Sequence, residues 1–179
     1  MVDSFALQVW LYRALACVLV GLWSFLTLLP LGGPVSPLPW PDIIFCVMIA
    51  WVVRRPDLMP FPLVVLLGLV MDFLFFKTPG AWTLVLLIST EALRKSTDQE
   101  GDSGLAFEAV AVLLTMLGAF LGHRAILALF SVPQPPLGGT LLELVFTIVA
   151  YPLVALATVY IFRIRRPDPL ETLSFKVRA

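Results

Sequence analysis

Charge is scarce in this 179-residue chain. Asp, Glu, Lys and Arg together make up 13% of it, where soluble domains carry about 25%. Hydrophobic residues make up 60%, and the mean hydropathy is +0.98. A soluble domain of this length has too little interior to hide so much apolar surface, so the sequence predicts lipid as its main solvent. The formal net charge is zero, which leaves no basic field for nucleic acid. There is one His and there are two Cys, too few for a recognisable Cys/His metal site. Cys17 and Cys46 lie inside apolar runs and read as small buried hydrophobes, not as a disulfide. No Gly-rich phosphate loop, nucleophile elbow, HExxH or paired-carboxylate spacing occurs. Ser89 and Thr90 adjoin Glu91, but His123 is far off in sequence. The sequence therefore assigns no catalytic residue, no metal and no cofactor.

What is present is a series of six apolar runs, at about 9–31, 41–54, 60–76, 80–94, 105–130 and 141–164. They leave no room for a second domain. The predicted fold is an all-α integral membrane protein, a compact bundle of about six transmembrane helices. The second and fourth runs fall short of the roughly 20 residues a span needs, so a five-span chain with one re-entrant segment is the rival arrangement. Basic residues arbitrate. Arg13, Arg54, Arg55, Arg94, Lys95, Arg163, Arg165, Arg166, Lys176 and Arg178 fall in alternate gaps or in the run ends that border them, and Lys77 stands alone in the other gaps. Positive loops stay inside, which puts both termini in the cytoplasm and favours six spans. The Gly- and Pro-rich stretch 32–41 is then an outside loop, with Trp40 at headgroup level. The first run resembles a signal sequence, but no small-residue cleavage site follows it, and it reads as a retained helix.

Ionisable groups at membrane depth cost about 2.5–3.5 kcal/mol each on insertion scales. Asp72 lies inside the third run, with Gly68 one turn before it on the same face. Arg124, beside His123, ends the fifth run, and Glu143 opens the sixth. These positions share one depth near the outer face, and an ion-pair cluster of Asp72, Arg124 and Glu143 is expected. The competing reading has Arg124 and Glu143 snorkel to the headgroups. In run five, Glu108, Ala111, Thr115, Gly118 and Gly122 make a small-residue stripe, and Gly118 and Gly122 form a GxxxG expected to pack against a neighbouring helix inside the bundle. Run six has a similar stripe of Glu143, Thr147, Ala150, Val154 and Thr158, with a kink predicted at Tyr151-Pro152. Glu91 and Arg94 are spaced for a salt bridge at a helix end.

The segment from Trp40 to Leu93 carries a family resemblance. It reads Trp40-Pro41-Asp42, an apolar stretch with Trp51, then Arg55-Pro56, then Gly68-Leu69-Val70-Met71-Asp72, then Gly80 in Thr78-Pro79-Gly80. Tyr151-Pro152 and a basic end follow. In this order and spacing the chain resembles the MreD family of bacterial rod shape-determining membrane proteins, and the resemblance covers most of its length. Pro41, Asp42, Gly68, Asp72, Gly80 and Pro152 hold the matching positions. One departure is that Phe75, Phe76 and Lys77 stand where members often have a Gly after the Asp. The resemblance implies a non-catalytic scaffold of the bacterial inner membrane that maintains rod shape and regulates lateral peptidoglycan synthesis. Its implied partner is an MreC-type protein, and through it a RodA-type glycosyltransferase, a penicillin-binding transpeptidase and MreB filaments. It also implies a fold like the six-helix substrate-binding subunit of ECF-type vitamin transporters. That likeness supplies the alternative function, a small-molecule-binding membrane transport subunit.

Overall fold

The computed structural model describes residues 2–29, 40–99, 105–162 and 164. Among them the regular structure is helical throughout: α1 Val2–Leu28, α2 Ile43–Arg54, a 3₁₀ turn at Pro56–Leu58, α3 Phe61–Leu74, α4 Ala81–Gln99, α5 Leu105–Leu129 and α6 Leu137–Tyr160. The six predicted runs correspond to six helices. Stretches Leu7–Leu28, Phe107–Leu129 and Leu137–Tyr160 are long and apolar enough to cross a membrane. α2 and α3 are apolar but short, and α4 carries Glu91, Arg94 and Lys95 in its second half. The basic tail 165–179 and most of the Gly- and Pro-rich loop lie outside the described residues.

The shortest helix is the centre of the molecule. Nine of the 12 residues of α2 are buried, and Met48, Ile49, Ala50, Trp51 and Val52 are wholly inaccessible. α6 and α4 pack against α2, α4 packs against α3 and α5, and α1 leans on α3 and the 3₁₀ turn. Tyr12 and Phe162 meet the Trp51 ring edge-on, at 6.4 and 5.9 Å between centroids. Twelve residues rise about 18 Å, well short of a hydrocarbon core of about 30 Å. Such a helix is tolerated because protein, not lipid, meets its ends. Asp42 caps the start, its Oδ1 accepting from the Phe45 N–H (2.9 Å), and its own N–H donates to Thr147 Oγ1 (3.0 Å). The Arg55 N–H closes the other end on the Trp51 carbonyl.

The outward faces are as apolar as the interior. On α6, Leu141, Val145, Val149, Leu153, Leu156 and Tyr160 recur at steps of three and four and are all exposed. Thr140, Leu144, Thr147, Ala155 and Thr158 point inward. Hydrophobicity thus does not separate inside from outside here, as expected where lipid covers the outer face. Small size and hydroxyl groups mark the inner face instead, at Thr140, Thr147, Ala155 and Thr158. α6 runs unbroken through Pro152. Cys17 is exposed, Cys46 is buried, and both are free.

At the end of the bundle holding the 3₁₀ turn, arginines tie α1 and α4 to backbone carbonyls around that turn. Arg13 Nη2 donates to the Asp57 carbonyl (2.9 Å). Arg94 pairs with Glu91, as its spacing predicts, and also donates to the Met59 carbonyl.

At Gly68, α3 passes close to Thr83 of α4. A Cβ there would sit 3.0 Å from Thr83 Cγ2 and Oγ1 and 3.1 Å from its Cα. Gly68→Val is expected to destabilise the folded protein by about 1–3 kcal/mol through overpacking, read as a lower midpoint in denaturing-detergent titration. An unchanged midpoint would contradict this contact.

Candidate functional site beside the α3–α4 turn

Asp72 is completely buried in α3. Its Oδ2 accepts three hydrogen bonds, from the Gly80 N–H (2.8 Å), the Thr83 N–H (3.2 Å) and the Thr83 hydroxyl (2.8 Å). Oδ1 is buried and makes no hydrogen bond. Its backbone carbonyl accepts from the Lys77 N–H (2.9 Å). The carboxylate therefore satisfies N–H groups at the start of α4, where a helix leaves its first amides unpaired and favours negative charge. Gly80 adopts φ +85°, a conformation Gly takes readily, and this turn aims its N–H at Asp72. The motif Gly68-x-x-x-Asp72, followed by Gly80, is thus a clasp that locks the α3–α4 hairpin.

The α3–α4 turn also holds a strained residue. Phe76 has φ +51°, the left-handed region that costs a residue with a Cβ roughly 1–2 kcal/mol. Its side chain is 95% exposed. A Gly is sterically suited to the place, and the protein carries the strain of a Phe instead.

The clasp and the α2 cap shape a cavity of about 330 Å³ at this end of the bundle. The first turns of α4 and α6, the last turns of α5, the N-cap of α2 and the α3–α4 and α5–α6 connections all contribute to its wall. Four charged side chains line it: Asp42, Lys77, Arg124 and Glu143. His123 and Thr140 add polar edges. The Trp82 ring forms part of the wall, edge-on to Phe45 (5.5 Å) and to His123 (5.1 Å), with Lys77 Nζ 5.0 Å from its centroid. That last contact is a cation–π arrangement, which holds the ammonium beside the cavity without a counter-ion.

The expected ion-pair cluster is corrected by this geometry. Asp72 and Arg124 form no ion pair within 4 Å; Asp72 instead spends Oδ2 on the three donors of its own hairpin. Arg124 Nη1 instead donates to the Pro135 carbonyl and to Thr140 Oγ1, both at 3.2 Å. Glu143 makes no side-chain hydrogen bond or ion pair among the described residues; Arg124 and Glu143 share the cavity wall, and Asp72 does not. The Gly118 and Gly122 expectation is corrected as well. No atom outside the local helix lies within 4 Å of a Cβ built on either. α5 meets the core through Val112, Met116 and Ala119, which leaves the two glycines on the edge of an outward groove between α4 and α5.

Three residues of this end carry no mark in the sequence: Thr83, Trp82 and Thr140. Thr83 is the recoverable one, since a hydroxyl one turn after Gly80 is well placed to meet a carboxylate that has no other partner. Comparison with family models, with curated proteins and with solved structures finds no match for the chain.

Two tests follow from this geometry. Asp72→Asn removes charge-assisted bonds and is expected to cost about 1.5–3 kcal/mol. Combined with Arg124→Gln, the two losses should add to within about 0.5 kcal/mol; a larger coupling in the denaturation cycle would restore the ion pair. Phe76→Gly is expected to stabilise the protein by up to about 1 kcal/mol, the relieved strain exceeding the chain entropy Gly adds. A lower thermal midpoint would count against the strain.

Proposed function

We propose that the chain is a non-catalytic six-pass scaffold of the bacterial inner membrane, both termini cytoplasmic, that grips the single transmembrane helix of an MreC-type partner. Through that partner it regulates lateral cell-wall synthesis, with a RodA-type glycosyltransferase, a penicillin-binding transpeptidase and MreB filaments in the same assembly. The observation that carries this reading is the groove between α4 and α5. It has a volume of about 640 Å³ and is lined by Leu84, Ile88, Ser89, Ala92, Gly118 and Gly122 among others. Helices in lipid associate by close packing over small residues, and here such a stripe faces outward with room for a neighbouring backbone.

Two further features support it. Most of the residues that carry the family resemblance have a definite mechanical role. Asp42 caps α2, while Gly68, Asp72 and Gly80 close the α3–α4 hairpin. The arginines Arg13, Arg54, Arg55 and Arg94 lie around the 3₁₀ turn: Arg54 and Arg55 run into it, Arg13 donates to the Asp57 carbonyl and Arg94 to the Met59 carbonyl. At a cytoplasmic surface they would meet anionic headgroups.

Gly118→Leu and Gly122→Leu fill the groove without touching the core. Each should leave the thermal midpoint of the isolated protein nearly unchanged and lower co-purification of the co-expressed partner by about tenfold or more. In a rod-shaped host, depletion of the protein should give round cells that wild type restores and the double variant does not. Rods that persist after clean depletion would reject the reading.

A further inference from the structure

The cavity beside the α3–α4 turn holds two positive and two negative side chains, and none of the four is paired with another within 4 Å. Arg124 bonds only neutral oxygens, and Lys77 lies against the faces of Trp82 and Phe75. Asp42 gives one oxygen to its cap. At the starts of α2 and α4 the N–H groups of Phe45, Gly80 and Thr83 are taken by Asp42 and Asp72, and the side-chain cations that line the cavity are Arg124 and Lys77. A lone anion would face Asp42 and Glu143, and a lone cation would face Lys77 and Arg124. A ligand that carries both signs meets all four. The volume of about 330 Å³ lies at the lower end of small-molecule sites, roughly 300–1,000 Å³.

The rim says what else the ligand carries. Phe76 lines the cavity and is 95% exposed. Pro133, Pro135 and Leu127 continue an apolar edge into the cavity. Charges inside and apolar side chains around the opening suit a molecule whose head enters and whose body stays in lipid.

We infer that this cavity binds a small zwitterion bearing a phosphate and a primary amine, the headgroup chemistry of an ethanolamine phospholipid. The phosphate sits on Arg124 and Lys77, and the ammonium donates to Glu143 and Asp42. Trp82 closes one wall. The inference does not depend on the scaffold reading, because the groove between α4 and α5 is lined by other residues.

The test uses the full chain purified in detergent, with native mass spectrometry. Short-chain phosphatidylethanolamine, phosphatidylcholine and phosphatidylglycerol are each titrated, and soluble phosphoethanolamine is added as competitor. Phosphatidylethanolamine should bind one-to-one and at least about tenfold more tightly than the others, since phosphatidylcholine has no ammonium hydrogen to donate and phosphatidylglycerol has no cation. Glu143→Gln should erase that preference and Lys77→Gln should weaken phosphatidylethanolamine, both with a wild-type thermal midpoint. Competition by phosphoethanolamine at comparable concentration identifies a soluble zwitterion as the occupant; its failure to compete identifies the lipid. Equal binding of the three lipids, no one-to-one binding, or a preference that survives Glu143→Gln overturns the proposal.

Discussion

A single carboxylate with no counter-ion governs how this bundle is put together. Asp72 is buried among apolar side chains, where an unsatisfied charge costs far more than a marginally stable fold can spare. It can stay only if donors are brought to it, and the donors are the first amides of α4 and the Thr83 hydroxyl. α3 and α4 must therefore lie close together, and Gly68 must stay without a side chain. The turn between them must also pass through a left-handed conformation at Phe76 and at Gly80. The position of Lys77 and Trp82 at the cavity follows from that turn.

The second constraint is length. α2 is too short to span lipid, so it has become the interior that the other helices enclose. Its two ends are closed by polar groups of α6 and of its own flanks instead of by headgroups. Asp42 shows how the two demands meet: its side chain caps α2, its N–H fixes α2 to Thr147 of α6, and its carboxylate still borders the cavity.

Much of this arrangement was readable in the residues. The apolar runs marked six helices, because hydrophobic length survives the loss of an inside-outside distinction. The ends were less legible. α6 begins earlier than its hydropathy suggests, at Leu137 after Pro136, since Gly138 and Gly139 dilute the apolar signal without breaking the helix. α4 continues past Arg94 because charged residues form helix well once they leave the apolar layer. Asp72 and Gly68 stood out, but the partner of Asp72 did not. A buried carboxylate suggests an opposite charge, and backbone amides leave no mark in a sequence. Gly118 and Gly122 could be named as a packing surface, yet periodicity does not say whether the neighbour belongs to the same chain.

The unequal helices have a consequence for the bilayer itself. α3 has 14 residues and rises about 21 Å, while α6 has 24 and rises about 36 Å. Yet α3 turns Phe61, Leu66, Val70 and Phe73 outward. Where a bilayer surrounds the bundle, hydrocarbon beside α3 would have to thin or the whole bundle lean, and either costs a fraction of a kcal/mol for each ångström of mismatch. Thinning would leave a one-sided dimple at α3, and a neighbour with an equally short belt would relieve that deformation by sharing it, before any side chains meet.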